Sequence, residues 1–135
     1  MSQKTLAQKL GLKIGHRLLV LNAPEGILGR LQPLPEGASL ETTSGQNFDA
    51  ALVFVRNKAE IDAHAAEAAE SVKRDGLLWF AYPKQTSKIA TDIHRDVGWD
   101  ALRDRGYAPI AQVAVDETWS ATRFRPEAMV KRQKR

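Results

Sequence analysis

Apolar residues gather along this chain in three short, unbroken runs rather than in alternation. The first is Arg17-Leu18-Leu19-Val20-Leu21, bounded by Gly15 and by Asn22-Ala23-Pro24; the second is Ala50-Ala51-Leu52-Val53-Phe54-Val55; the third is Leu77-Leu78-Trp79-Phe80-Ala81-Tyr82. A strand with one wet face alternates, so continuous runs predict strands covered on both faces and hence a parallel sheet. Between the second and third runs, residues 58–74 place Ile61, Ala65, Ala68, Ala69 and Val72 at helical spacing. Acidic Glu60 and Asp62 in the first turn, Lys73 and Arg74 in the last, Asn57 with Glu60 as a capping pair and Gly76 as a stop all suit a helix there. Its mostly alanine stripe allows close approach to the sheet with little area buried per residue.

Shorter patterns fill in the rest. Residues 3–10 read as a small amphipathic helix carrying Leu6 and Leu10 and ended by Gly11. Residues 90–105 read as a helix with Ile93, Val97, Ala101 and Leu102 on one face, weakened by Gly98. Ile110–Val115 and Trp119–Phe124, joined by Asp116-Glu117-Thr118, predict a closing hairpin. Gly26–Leu31 suggests a short helix, and Ala38–Thr42 a short strand after the turn at Pro35-Glu36-Gly37. The expected organisation is one α/β domain over residues 1–130 and a basic tail over 131–135.

Charge alters this picture only at the end of the chain. The net charge is +4, and Lys131, Arg132, Lys134 and Arg135 supply all of it, leaving residues 1–130 balanced at 16 basic against 16 acidic. Such a tail can touch phosphate through counterion release or stand solvated at a frayed terminus, so nucleic acid is a weak expectation for a partner. The chain has no Cys, which removes disulfides and thiolate chemistry and suits a reducing cytosol. With no apolar stretch long enough to span a bilayer and no apolar leader, a cytoplasmic location without membrane contact is expected.

Ligands of open α/β sheets collect outside the carboxyl ends of the strands. Three segments fall there: Asn22–Gly26, with Asn22, Glu25 and Gly26 as candidate contacts; Arg56-Asn57; and Tyr82–Lys88. In the third, Lys84 and Lys88 bring positive charge and Thr86 and Ser87 bring hydroxyls, and N–H groups of a following helix would complete an anion site. Equally, Thr86 or Ser87 can cap that helix while the lysines are solvated. Asp92, Arg95 and Asp96 at helical spacing read as a carboxylate pair with an arginine clamp or as an ordinary charged face. Trp99 and Trp119 suit either ligand stacking or a core or dimer contact. His16, His64 and His94 lack metal-ligand spacing, and Ser87 and Ser120 lack a G-x-S-x-G setting, so metal and serine-hydrolase sites are not expected.

Ile14-Gly15-His16-Arg17-Leu18-Leu19-Val20-Leu21, Phe48-Asp49-Ala50-Ala51-Leu52-Val53, Lys73-Arg74-Asp75-Gly76-Leu77-Leu78-Trp79 and the closing hairpin together resemble the core of class I S-adenosylmethionine-dependent methyltransferases, shortened by one strand–helix repeat. The resemblance, from about residue 12 to residue 126, implies a three-layer Rossmann-like (methyltransferase-like) fold with a mostly parallel sheet and a C-terminal antiparallel hairpin. That family places an acidic residue and a glycine-rich turn after its first strand. Here the stretch is Asn22-Ala23-Pro24-Glu25-Gly26, in which Pro24 lacks an N–H; Glu41 reads as a ribose contact or as an exposed residue in a turn. Val20–Gly26, Tyr82-Pro83-Lys84, Thr91-Asp92, Arg95-Asp96 and Val115–Ser120 are also similar to a small bacterial domain family that brings no activity with it. The resulting expectation is a non-catalytic binding domain without a cofactor, holding a small anionic ligand or a protein partner, with the apolar edge of the hairpin open to a homodimer. The alternative is an active methyltransferase using S-adenosylmethionine through an atypical loop.

Overall fold

In the computed structural model, which describes residues 5–93 and 97–131, the three apolar runs become neighbouring strands. They are β1 (Arg17–Leu21), β3 (Phe48–Phe54) and β4 (Val72–Pro83), joined by β2 (Ser39–Glu41) on one side and the hairpin β5 (Tyr107–Ala114) and β6 (Trp119–Pro126) on the other. The order across the sheet is β2-β1-β3-β4-β6-β5. The first four strands are parallel, β6 runs antiparallel to β4, and β5 antiparallel to β6.

Side chains alternate across the sheet and both faces are buried. One face carries Leu19, Val53, Leu78, Phe80 and Phe124 under α3 (Lys58–Ser71) and α4 (Asp100–Arg103). The other carries Leu18, Val20, Leu52, Trp79 and Ala121 under α1 (Leu6–Lys9) and α2 (Ile27–Arg30). Thr5 opens α1 with a reciprocal cap, its hydroxyl accepting from Gln8 N while the Gln8 side chain accepts from Thr5 N. The indole N–H of buried Trp79 donates to the Leu10 carbonyl at 2.9 Å, pinning the end of α1 to the sheet. A helix α5 (Glu127–Lys131) follows β6 directly. No helix among the described residues is long and apolar enough to cross a membrane.

Two elements differ from the sequence reading. The helix expected over 58–74 ends at Ser71, and Val72, Lys73 and Arg74 already belong to β4. The cause is tertiary: Lys73 Nζ reaches Asp49 Oδ1 on β3 at 2.8 Å, and Val72 pairs with Phe48. Gly76 is therefore no helix stop. It sits inside β4, where the register to β3 slips so that Val72 to Leu77 faces Phe48 to Ala50. The helix expected over 90–105 contracts to the single turn of α4, because Gly98 takes φ +106° and breaks it ahead of Trp99. Ile93 and Leu102 are buried but Val97 is 54% exposed, so the spacing that looked like one apolar face belongs to separate turns.

Two carboxylates brace the amino end of this sheet. A hydrogen bond from Lys73 leads in holding the Asp49 carboxyl below its ordinary value, helped by Arg17 N; Arg125 does the same for Asp75. A carboxyl depressed on folding stabilises the native state above its unfolded pKa, and that stabilisation is lost as pH falls through the folded pKa. The melting temperature should hold steady above about pH 5 and drop once pH passes below the ordinary Asp value of 3.8. In Asp49→Asn and Asp75→Asn, scanning calorimetry should show a shallower acid decline and a lower plateau.

Candidate functional site

β1 continues on one side to β2 and on the other lies beside β3, so the sheet's switch in direction falls between the carboxyl ends of β1 and β3. Asn22 stands there with φ +60°, and its side-chain amide turns inward. Nδ2 donates to the Phe54 carbonyl at 2.8 Å and to Glu60 Oε1 at 3.3 Å, and the same Glu60 oxygen accepts from Arg56 N at 2.7 Å. The first turn of α3 is equally occupied: Asn57 Oδ1 accepts from Glu60 N, and Asp92 Oδ1 accepts from Lys58 N at 2.8 Å. Donors that an open crevice would turn to a ligand are satisfied by the protein's own oxygens.

Asp92 is thus a cap for α3 and lies in a bend rather than on a helix. Arg95, with His94 and Asp96, lies outside the described residues, as does the basic tail beyond Lys131. Glu25 and Gly26 are exposed on the loop into α2, and Gly26, at φ +88°, supplies the only positive-φ glycine of that turn. Glu41 is held by Arg17, whose Nε and Nη2 donate to its two oxygens at 3.2 and 3.4 Å, while the Arg17 guanidinium lies 4.2 Å over the Phe48 ring. The parts that the resemblance assigns to an adenosyl cofactor do not fit one here. The loop has a proline where backbone donors are needed, the inward amide closes the switch point, and the acidic residue is engaged.

A different arrangement forms beyond β4. Lys84 N donates to the Thr118 carbonyl at 2.8 Å, and Asp116 Oδ1 accepts from Thr118 N and Trp119 N, so the hairpin turn is fixed beside the end of β4. From Lys84 the chain arches over to α3 without forming a helix, so neither Thr86 nor Ser87 caps one and no helix N-terminus supplies N–H groups. Instead Ser87 Oγ accepts from Ile89 N at 3.3 Å and Thr91 Oγ1 from Ile93 N at 3.0 Å. A hydroxyl that accepts one N–H keeps its own proton to donate. These two hydroxyl residues and Lys88 line a cavity of about 340 Å³ together with Gln85, Ile89 and Ala90. Lys84 flanks it.

Tyr82 and Trp119, the aromatic candidates, are both 5% exposed. Tyr82 OH accepts from Gln112 Nε2 at 2.8 Å and its ring meets Trp99 edge-on, while Trp119 packs edge-on against Phe54. Trp99 is 1% exposed. These aromatics belong to the core, Tyr82 and Trp99 on one face of the sheet and Trp119 on the other. Among the described residues no three His, Cys, Asp or Glu side chains are grouped to hold a metal.

The sequence reading missed two surfaces. One is an apolar recess of about 570 Å³ at the opposite edge, between α1 and Pro33-Leu34-Pro35, with Ile14 at its rim. The other is an arginine cluster around Asp75. Both join residues distant in the chain, and only the separation of Arg123 and Arg125 by one position hinted at the second.

No family model matches the chain, and no curated protein matches it. Solved structures do. A S-adenosylmethionine-dependent methyltransferase from Aquifex aeolicus superposes with a TM-score of 0.55 at 12% identity, over 87% of this chain and 85% of that one. Fibrillarin from Aeropyrum pernix, solved with natively bound S-adenosyl-L-methionine, gives 0.57 at 13% identity over 88% and 72%. Magnesium protoporphyrin IX methyltransferase from Synechocystis, solved with bound S-adenosylmethionine, gives 0.55 at 11% identity over 88% and 73%. The fold is methyltransferase-like. At these identities the likeness speaks for architecture alone.

Proposed function

We propose that this chain is a methyltransferase-like domain that binds rather than transfers, holding a small anion such as phosphate or a carboxylate at the carboxyl edge of β4. The observation that carries this reading is the chemistry of the Gln85–Thr91 cavity, whose lining includes Lys88 and the hydroxyl residues Ser87 and Thr91, while the switch-point donors are consumed internally. Lys84, at the start of the same loop, is proposed to add a second positive charge. Asn22, Glu25 and Gly26 serve the loop rather than a ligand.

A second reading, an active methyltransferase with an atypical loop, draws on the neighbours that were solved with S-adenosylmethionine. Melting temperature separates the two, because a ligand stabilises only by binding the native state. Phosphate at ten times its Kd should add about 1.4 kcal/mol, or roughly 3–5 °C in a domain of this size. Lys84→Ala with Lys88→Ala should remove that shift and leave the unliganded melt unchanged. A shift specific to S-adenosylmethionine and S-adenosylhomocysteine would favour the second reading, and no response to any of these compounds would overturn both.

A further inference from the structure

We propose that Arg74, Arg123 and Arg125 form a binding surface for the phosphodiester backbone of a nucleic-acid strand, at the sheet edge opposite the small-anion cavity. The inference stands apart from that cavity, since none of its residues is shared. Arg125 lies near the end of β6 and grips Asp75 on β4 with Nε and Nη2, both at 2.9 Å from the carboxylate oxygens. Arg123, two residues earlier and therefore on the same face, stands opposite Trp79. Its Nε is buried with no hydrogen-bond partner. Arg74 is exposed beside Asp75, and the charges of Arg123 and Arg74 both act on that carboxyl. Neither has a salt bridge among the described residues.

One carboxylate thus bonds a single guanidinium, that of Arg125, and also feels the charges of Arg123 and Arg74. Burial disfavours the charge on Arg123, and Asp75, which opposes this, is itself bonded to Arg125, whose charge adds to the disfavour. A charge held in that condition gains from an arriving anion, and a planar guanidinium matches phosphate geometry. The form of the anion follows from the distribution of charge. Residues 123–135 hold six basic residues against one acidic, whereas residues 1–122 hold fourteen against fifteen. β6 passes straight into α5, whose Glu127 N donates to the Gly106 carbonyl at 2.7 Å, so in sequence the basic run follows directly on the strand that carries Arg123 and Arg125. Charge that is spread along a line suits a polymer of phosphates.

The test is fluorescence anisotropy of a labelled uniform single-stranded RNA with the full chain, over a salt series from about 50 to 200 mM. Binding should weaken linearly in log Kd against log salt, and Arg74→Gln with Arg123→Gln should cut the slope by about 1.4, roughly 0.7 for each lost contact on a single strand. Arg74→Gln alone, at an exposed position that leaves the melting temperature unchanged, should cut it by about 0.7. Asp75→Asn frees Arg125 and should tighten binding several-fold even as it lowers stability. Deleting residues 132–135 should weaken binding without abolishing it. The proposal is overturned by absence of binding at the lowest salt, by unchanged slopes in the arginine variants, by complete loss on removing 132–135 alone, or by Asp75→Asn lowering stability without tightening. Competition by inorganic phosphate as effective per phosphate as unlabelled RNA would also overturn it, in favour of a small-anion site.

Discussion

Trp99→Ala lowers the free energy of unfolding by about 3–5 kcal/mol, read by urea denaturation. Trp99 is among the largest fully buried side chains, and its ring lies 5.0 Å from Phe124, 5.5 Å from Tyr82 and 6.1 Å from Phe80 between centroids. Tilted and edge-on geometries of this kind contribute beyond the area they bury. The residue also has an architectural task. With the expected long helix reduced to α4, the arch from Lys84 towards α4 is fastened to the sheet mainly through Ile93, Trp99 and Leu102. A domain with roughly 5–15 kcal/mol in total would be left marginal, and its response to phosphate should fall with it. Trp99→Phe, which keeps an aromatic ring, should cost under about 2 kcal/mol.

Gly76→Ala should cost about 1–3 kcal/mol although it adds a single carbon. A β-carbon there collides with the Val72 side chain and lies 2.9 Å from the Asp49 carbonyl oxygen and 3.2 Å from that of Lys73. Two of these neighbours are backbone, in the irregular stretch where β4 meets β3, and the strand pairing has to shift to admit it. Gly29→Ala in α2 is the control. Nothing lies within 4 Å of its β-carbon, and alanine favours a helix, so the denaturation midpoint should hold or rise.

Those two glycines also show where sequence pattern succeeds. β1 was legible to the residue because an apolar run lies between Gly15 and Asn22, and Asn57 with Glu60 announced the start of α3 by a local cap. The end of α3 was hidden, since Lys73 and Arg74 suit a helix terminus and only Asp49, twenty-four positions away, draws Lys73 into a strand. The carboxyl edge could be located from the strand order alone, yet the partners there could not. Asp92 looks like a surface carboxylate until the fold sets it against Lys58 N, and Trp119 looks like a ligand platform until Phe54 covers it. Hydrogen bonds across more than thirty residues leave no periodic trace, so the chemistry was harder to read than the architecture.

The sheet order dictates how the chain must assemble in time. Leu18 pairs with Ala50 and Ala50 with Leu77, so each parallel contact waits for a long connection to close. Ala114 pairs with Ser120 across a short turn, and that hairpin can zip at once. Topologies dominated by distant pairing fold slowly for their size. The hairpin, with β6 bound to β4 as the last parallel strand, offers a ready template for the slower half. Until β1 and β3 arrive, the apolar flank of β4 stands open to any other strand in solution.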